Sequence, residues 1–117
     1  MAIGFEELDE VFAAMANEHR RAMVLALALR PHSISELADQ RGLSLPAIHK
    51  HVRVLEDSGM VTRRKTGRTN WLALRREPLL GLQGWIDQFA PWWGTDDEHL
   101  DNYATHLDAH PTEEGNQ

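Results

Sequence analysis

The 117-residue sequence contains no cysteine, which excludes disulfides, thiolate metal sites and cysteine nucleophiles together. It lacks a long hydrophobic run. The longest, residues 22–29, is far too short to span a bilayer and follows two arginines. The first residues, MAIGFEELDE, are acidic and carry no signal-peptide pattern, so a cytoplasmic protein with no membrane partner is expected. There is no nucleophile motif, no glycine-rich phosphate loop and no H-E-x-x-H pair. Despite the 7 histidines, an enzyme is therefore not expected. No internal repeat or low-complexity stretch appears, and Lys and Arg are absent from residue 77 onward.

That last absence matters because the formal charge of -6 is unevenly spread. Residues 43–76 hold Lys50, Arg53, Arg63, Arg64, Lys65, Arg68, Arg75 and Arg76 against only Glu56 and Asp57, a local charge of +6. After them come Glu77, Asp87, Asp96, Asp97, Glu98, Asp101, Asp108, Glu113 and Glu114 with no base among them. A basic middle between acidic ends describes an anion-binding surface whose flanks are held away from it.

The length fits one domain, and the spacing predicts a mainly helical one over 1–110, with 111–117 as a disordered tail. Phe5, Leu8, Val11, Phe12 and Met15 recur at helical spacing. Asn17 can cap a second helix from about 18 to 30, with Met23, Val24, Leu27 and Ala28 turned inward and Pro31 ending it. Ser33 and Glu36 form a capping box for a short helix, ISELADQR, and Gly42 suits its left-handed close. Ser44 and Pro46 start the next helix, about 45–58, which Gly59 ends. MVTRRKT and TNWLALR then alternate as two strands around Gly67 and Arg68. Pro78 opens a further helical stretch, Pro91 and Gly94 interrupt it, and a final helix carries Leu100, Tyr103 and Leu107.

Two capped helices joined by a tight glycine turn, followed by a basic hairpin, constitute a winged helix-turn-helix signal. On a helical wheel Ala47, Ile48, His51, Val52 and Leu55 fall on the inward side, and Ser44, Leu45, His49, Lys50 and Arg53 on the other. The outward side offers donors for phosphates and base edges and has no acid to repel them. Expected DNA-binding residues are Ser44, Leu45, Ala47, His49, Lys50 and Arg53 of this helix, with Arg63, Arg64, Lys65 and Arg68 of the hairpin. A structural role is expected for His51, and Arg20 and Arg21 read as solvated. Should His49 meet a phosphate, the imidazolium is favoured and DNA binding weakens from about pH 6 to about pH 8.

The segment ISELADQRGLSLPAIHKHVRVLEDSGMVTRRKTGR, preceded by NEHRRAMVLALAL, resembles the ArsR/SmtB family of winged-helix repressors. Where that family usually carries Gln and Ser toward the groove, this chain has Leu45 and His49, so Leu45 would meet a thymine methyl rather than pair with adenine. The resemblance implies a homodimer built on the first and post-wing helices, repressing from a palindromic double-stranded DNA operator, including its own promoter. The matching interface residues are Phe5, Leu8, Phe12, Trp85, Phe89, Trp92, Trp93 and Tyr103. No cofactor is expected. An alternative is a zinc- or nickel-responsive repressor, because Asp97, His99, His110 and Glu113 match the family's D-x-H…H-x-x-[E/H] spacing, though well downstream of its usual place. The segment from Trp85 to Tyr103 looks more like family members without a metal site, often encoded beside START-like (SRPBCC) lipid-binding proteins. The residues name no inducer.

Overall fold

The computed structural model describes residues 4–89 and 95–110, except the side chain of Phe5. In chain order the elements are α1 (Phe5–Met15), α2 (Glu18–Leu29), β1 (His32–Ser33), α3 (Ile34–Arg41), α4 (Leu45–Asp57), β2 (Val61–Thr66), β3 (Thr69–Leu74), α5 (Glu77–Asp87) and α6 (His99–Ala109). They form two compact units divided at the end of α5, between Ile86 and Asp87.

Local chemistry sets the helix ends. Asn17 Oδ1 accepts the Arg20 amide at 3.1 Å and starts α2. That helix stops at Leu29 because Arg30, preceding Pro31, is forced into extended backbone with φ -170. At α3, Ser33 Oγ accepts the Glu36 amide at 3.1 Å and the Glu36 carboxylate accepts the Ser33 amide at 3.0 Å. Gly42, at φ 63, closes α3 and turns the chain into α4.

The core of the first unit joins Val11 and Ala14 of α1, Met23, Val24 and Leu27 of α2, Ile34, Leu37 and Ala38 of α3, and Ile48, Val52 and Leu55 of α4. Met60, Val61 and Leu72 close it from the sheet. Ala28, expected inward, is exposed. It lies about 100° around the helix from Leu27, at the edge of the buried stripe.

The sheet order is β1-β3-β2, both pairings antiparallel. β1, absent from the sequence reading, sets His32 opposite Leu72 and Ser33 opposite Trp71. β2 and β3 pair from Val61↔Leu74 to Thr66↔Thr69 around a two-residue turn. Gly67 has φ 63 and Arg68 a negative φ, the combination a type II′ hairpin requires. Only the base of this ribbon is buried. From Thr62 to Thr69 it stands clear of the core, so the turn and the ladder must hold its shape.

Candidate nucleic-acid interface

α4 has two chemically distinct sides. Ile48, Val52 and Leu55 are fully buried, with Ala47 and His51 half-buried beside them. Ser44, Leu45, His49, Lys50 and Arg53 are all exposed. Ser44 Oγ accepts the Ala47 amide at 3.3 Å, and Pro46 occupies the first turn, where no helical hydrogen bond is lost. At the other end the Met60 amide donates to Leu55 O at 2.9 Å across Gly59, at φ 75. The helix is thus fixed at both ends, about 20 Å long, with one side free.

The ribbon extends this free side. Strand register puts Arg63 and Lys65 on the face of Val61 and Leu72, and Arg64 on the opposite face beside Trp71. A cleft of about 310 Å³ runs between ribbon and α4, lined by Ser35 of α3, Leu45 and His49 of α4, and Arg68, Thr69 and Asn70 of the ribbon. Ser35, Thr69 and Asn70 had no motif to announce them, because tertiary folding alone brings them beside His49.

The cations sort by what they touch. Of the 12 Lys and Arg residues, Arg20, Arg21, Arg30, Arg41, Arg63 and Arg75 hold partners inside the protein. Arg63, expected on DNA, is instead paired with Glu56 of α4 at 2.8 Å. Arg20 and Arg21, expected to be solvated, donate to carbonyls closing α1: Arg20 to Ala14 at 2.7 Å and Arg21 to Met15 at 2.9 Å. Among the described residues Lys50, Arg53, Arg64, Lys65, Arg68 and Arg76 have no such partner. Five of these six lie on α4 and the ribbon.

A helix-turn-helix domain family matches residues 15–64. The HTH-type transcriptional regulator Rv2034 of Mycobacterium tuberculosis is 33% identical over 81 residues, covering 69% of this chain and 76% of that one. The uncharacterized HTH-type transcriptional regulator YuzN of Bacillus subtilis is 33% identical over 87 residues, covering 68% of this chain and 95% of that one. The crystal structure of the ArsR family transcriptional regulator RHA00566 superposes with a TM-score of 0.69 at 36% identity, over 75% of this chain and 91% of that one. The chain belongs to the ArsR family of winged helix-turn-helix transcriptional regulators.

This ArsR-family protein is a DNA-binding transcriptional regulator, and the β2–β3 ribbon is the wing of its fold. The alternative metal set fails within one chain. Asp97 precedes α6, His99 begins it and His110 follows its last residue. Eleven helical steps separate the two imidazoles by about 16 Å, whereas ligands share an ion at about 2 Å. Glu113 lies outside the described residues.

The expected dimer residues divide. Leu8 is buried in the protomer at 7% exposure and already serves its interior. Phe12 and Trp85 are partly exposed and meet edge to face, ring centroids 5.3 Å apart. Phe89 is exposed, as is Tyr103 of α6. Trp92, Trp93 and the Phe5 side chain lie outside the described residues. Among the described residues no helix is long and apolar enough to cross a membrane.

Proposed function

We propose that this ArsR-family protein is a homodimeric repressor of a palindromic operator, acting on its own promoter among others. In this reading α4 enters the major groove, with Lys50 and Arg53 on phosphates or base edges and Leu45 against a thymine methyl. His49 lies along the same groove wall, Ala47 borders it from the half-buried edge beside Lys50, and Ser44 meets the backbone at the helix start. Arg64, Lys65 and Arg68 follow the neighbouring backbone or minor groove. The observation that carries this is the division of the cations: those elsewhere are mostly spent on the protein's own carbonyls and carboxylates, while five on α4 and the wing are not.

Dimerisation rests on exposed apolar side chains of α1 and α5, Phe12 and Trp85 above all, since aromatic residues are enriched where interfaces are fully buried. A twofold dimer places its two α4 helices on half-sites about one helical turn apart. Footprinting the protein on the DNA upstream of its own gene tests the reading. Two protected half-sites with that spacing are expected. Protection without inverted symmetry would remove the palindrome and the dimer, and no protection at any salt concentration would remove the DNA role.

A further inference from the structure

Behind the reading helix lies a polar cluster that DNA contact does not account for. Arg20 uses all three of its nitrogens: Nε donates to Ala14 O at 2.7 Å, Nη2 to Ala13 O at 3.2 Å, and Nη1 meets His51 Nδ1 at 3.2 Å. The two carbonyls belong to the last turn of α1, which has no basic residue of its own, so Arg20 supplies the cation that a helix C-terminus favours. Its remaining arm reaches the half-buried side of α4. Guanidinium can only donate. The His51 Nδ1 therefore accepts, which makes His51 neutral with its proton on Nε2. His19 is in the same state, because Arg41 Nε donates to its Nδ1 at 3.0 Å, and its ring centroid lies 5.5 Å from that of His51.

The fixed charges around His51 are accordingly positive: Arg20 from α2, and Arg41 from α3 beyond the neutral His19. Of the nearby carboxylates, Glu18 lies 3.9 Å from Arg41, and Glu10 of α1 and Asp57 of α4 line a hollow that Arg20 also lines; none is hydrogen-bonded to His51. A proton on Nδ1 would set one donor against another and add a cation to this group. Burial, then the Arg20 charge, holds the His51 imidazole below its ordinary pKa.

We propose that Arg20 and His51 are positioning residues for DNA binding: their hydrogen bond fixes the roll of α4 against α1, and it exists only while His51 is uncharged. The idea rests on α4 reading DNA. It adds that the helix carrying part of the proposed dimer face is tied to the reading helix through a proton-sensitive link, broken in acid.

The test measures affinity for the footprinted duplex at constant ionic strength from about pH 8 to about pH 5. It is done in a His49→Gln background, so that charge on the groove-facing imidazole does not overlap. Affinity should hold near neutral pH, then fall by up to about tenfold per pH unit for each protomer once its His51 takes up a proton. His51→Asn keeps an acceptor oxygen near the Nδ1 position without titrating, and should retain neutral-pH affinity while abolishing the acid decline. An acid decline that survives His51→Asn, or none in the background protein, overturns the proposal while leaving DNA binding intact. Failure of the unmodified protein to bind at neutral pH counts instead against the DNA reading. Nitrogen-15 shifts of the imidazole rings in the unmodified protein need no variant: they should show His51 protonated on Nε2 alone, and a proton on Nδ1 at neutral pH refutes the link.

Discussion

In the proposed reading, Glu56 decides which wing arginine is available to DNA. Its carboxylate holds Arg63 at 2.8 Å, with both side chains about one-third exposed at 31% and 32%, whereas Arg64 has no such partner among the described residues. Each phosphate neutralised by a protein cation adds about 0.9 to the slope of log affinity against log salt. A dimer carries every site twice. Arg64→Ala should therefore flatten the slope by about 1.8, while Arg63→Ala should scarcely change it. Glu56→Gln frees Arg63 and should steepen the slope by up to about 1.8, an extra loss of roughly tenfold between about 50 and about 200 mM salt. The cost to folding is small, under about 1 kcal/mol, because the pair is partly solvated. Fluorescence anisotropy on one operator duplex across a salt series measures all three slopes. Equal flattening by Arg63→Ala and Arg64→Ala, or an unchanged slope in Glu56→Gln, refutes the reasoning.

Further outcomes follow from other contacts. The Glu36 carboxyl is held at about 2, below its ordinary 4.5, first by the Arg30 hydrogen bond and then by the Ser33 amide. Its folded pKa is depressed, so its contribution is complete above about pH 4.5 and is lost as pH falls toward 2. Glu36→Gln should then flatten the decline of thermal stability across that acid window, and an unchanged decline counts against the capping box as its source. Leu55, fully buried on α4, should cost about 2–5 kcal/mol as Leu55→Ala in chemical denaturation; a smaller loss would mean that the core beneath the reading helix is not close-packed. Trp85→Ala removes the edge-to-face partner of Phe12 and should weaken the proposed dimer at least about fivefold in sedimentation equilibrium, or 1 kcal/mol. An undisturbed dimer moves the interface elsewhere.

The elements bearing the site were legible because their ends are written in adjacent residues. Ser33 with Glu36, Gly42, and Ser44 with Pro46 fix α3, its turn and α4 by contacts three residues apart or fewer, and Gly67 fixes the ribbon turn in the same way. The two-sided character of α4 was equally visible, since helical phase alone separates Ile48, Val52 and Leu55 from His49, Lys50 and Arg53. What was hidden depends on distant partners. β1 is two residues long, too short for any alternation, and exists only by pairing with β3. Arg20 and Arg21 looked like surface charges because their partners, the closing carbonyls of α1, carry no sequence signature. Arg63 and Arg64 are indistinguishable as letters, and only strand register puts one of them beside Glu56. The histidines and acids near α6 matched a metal pattern in spacing that the helix pulls apart in space.

The central claim is that the partnerless cations of α4 and the wing meet one polyanion together. Its most direct test is a gel shift on the footprinted operator with Lys50→Glu, Arg53→Glu and Arg64→Glu combined, the fold being checked by circular dichroism. Loss of the shifted band with an unchanged spectrum is the predicted result. A band retained at wild-type protein concentration would contradict the account.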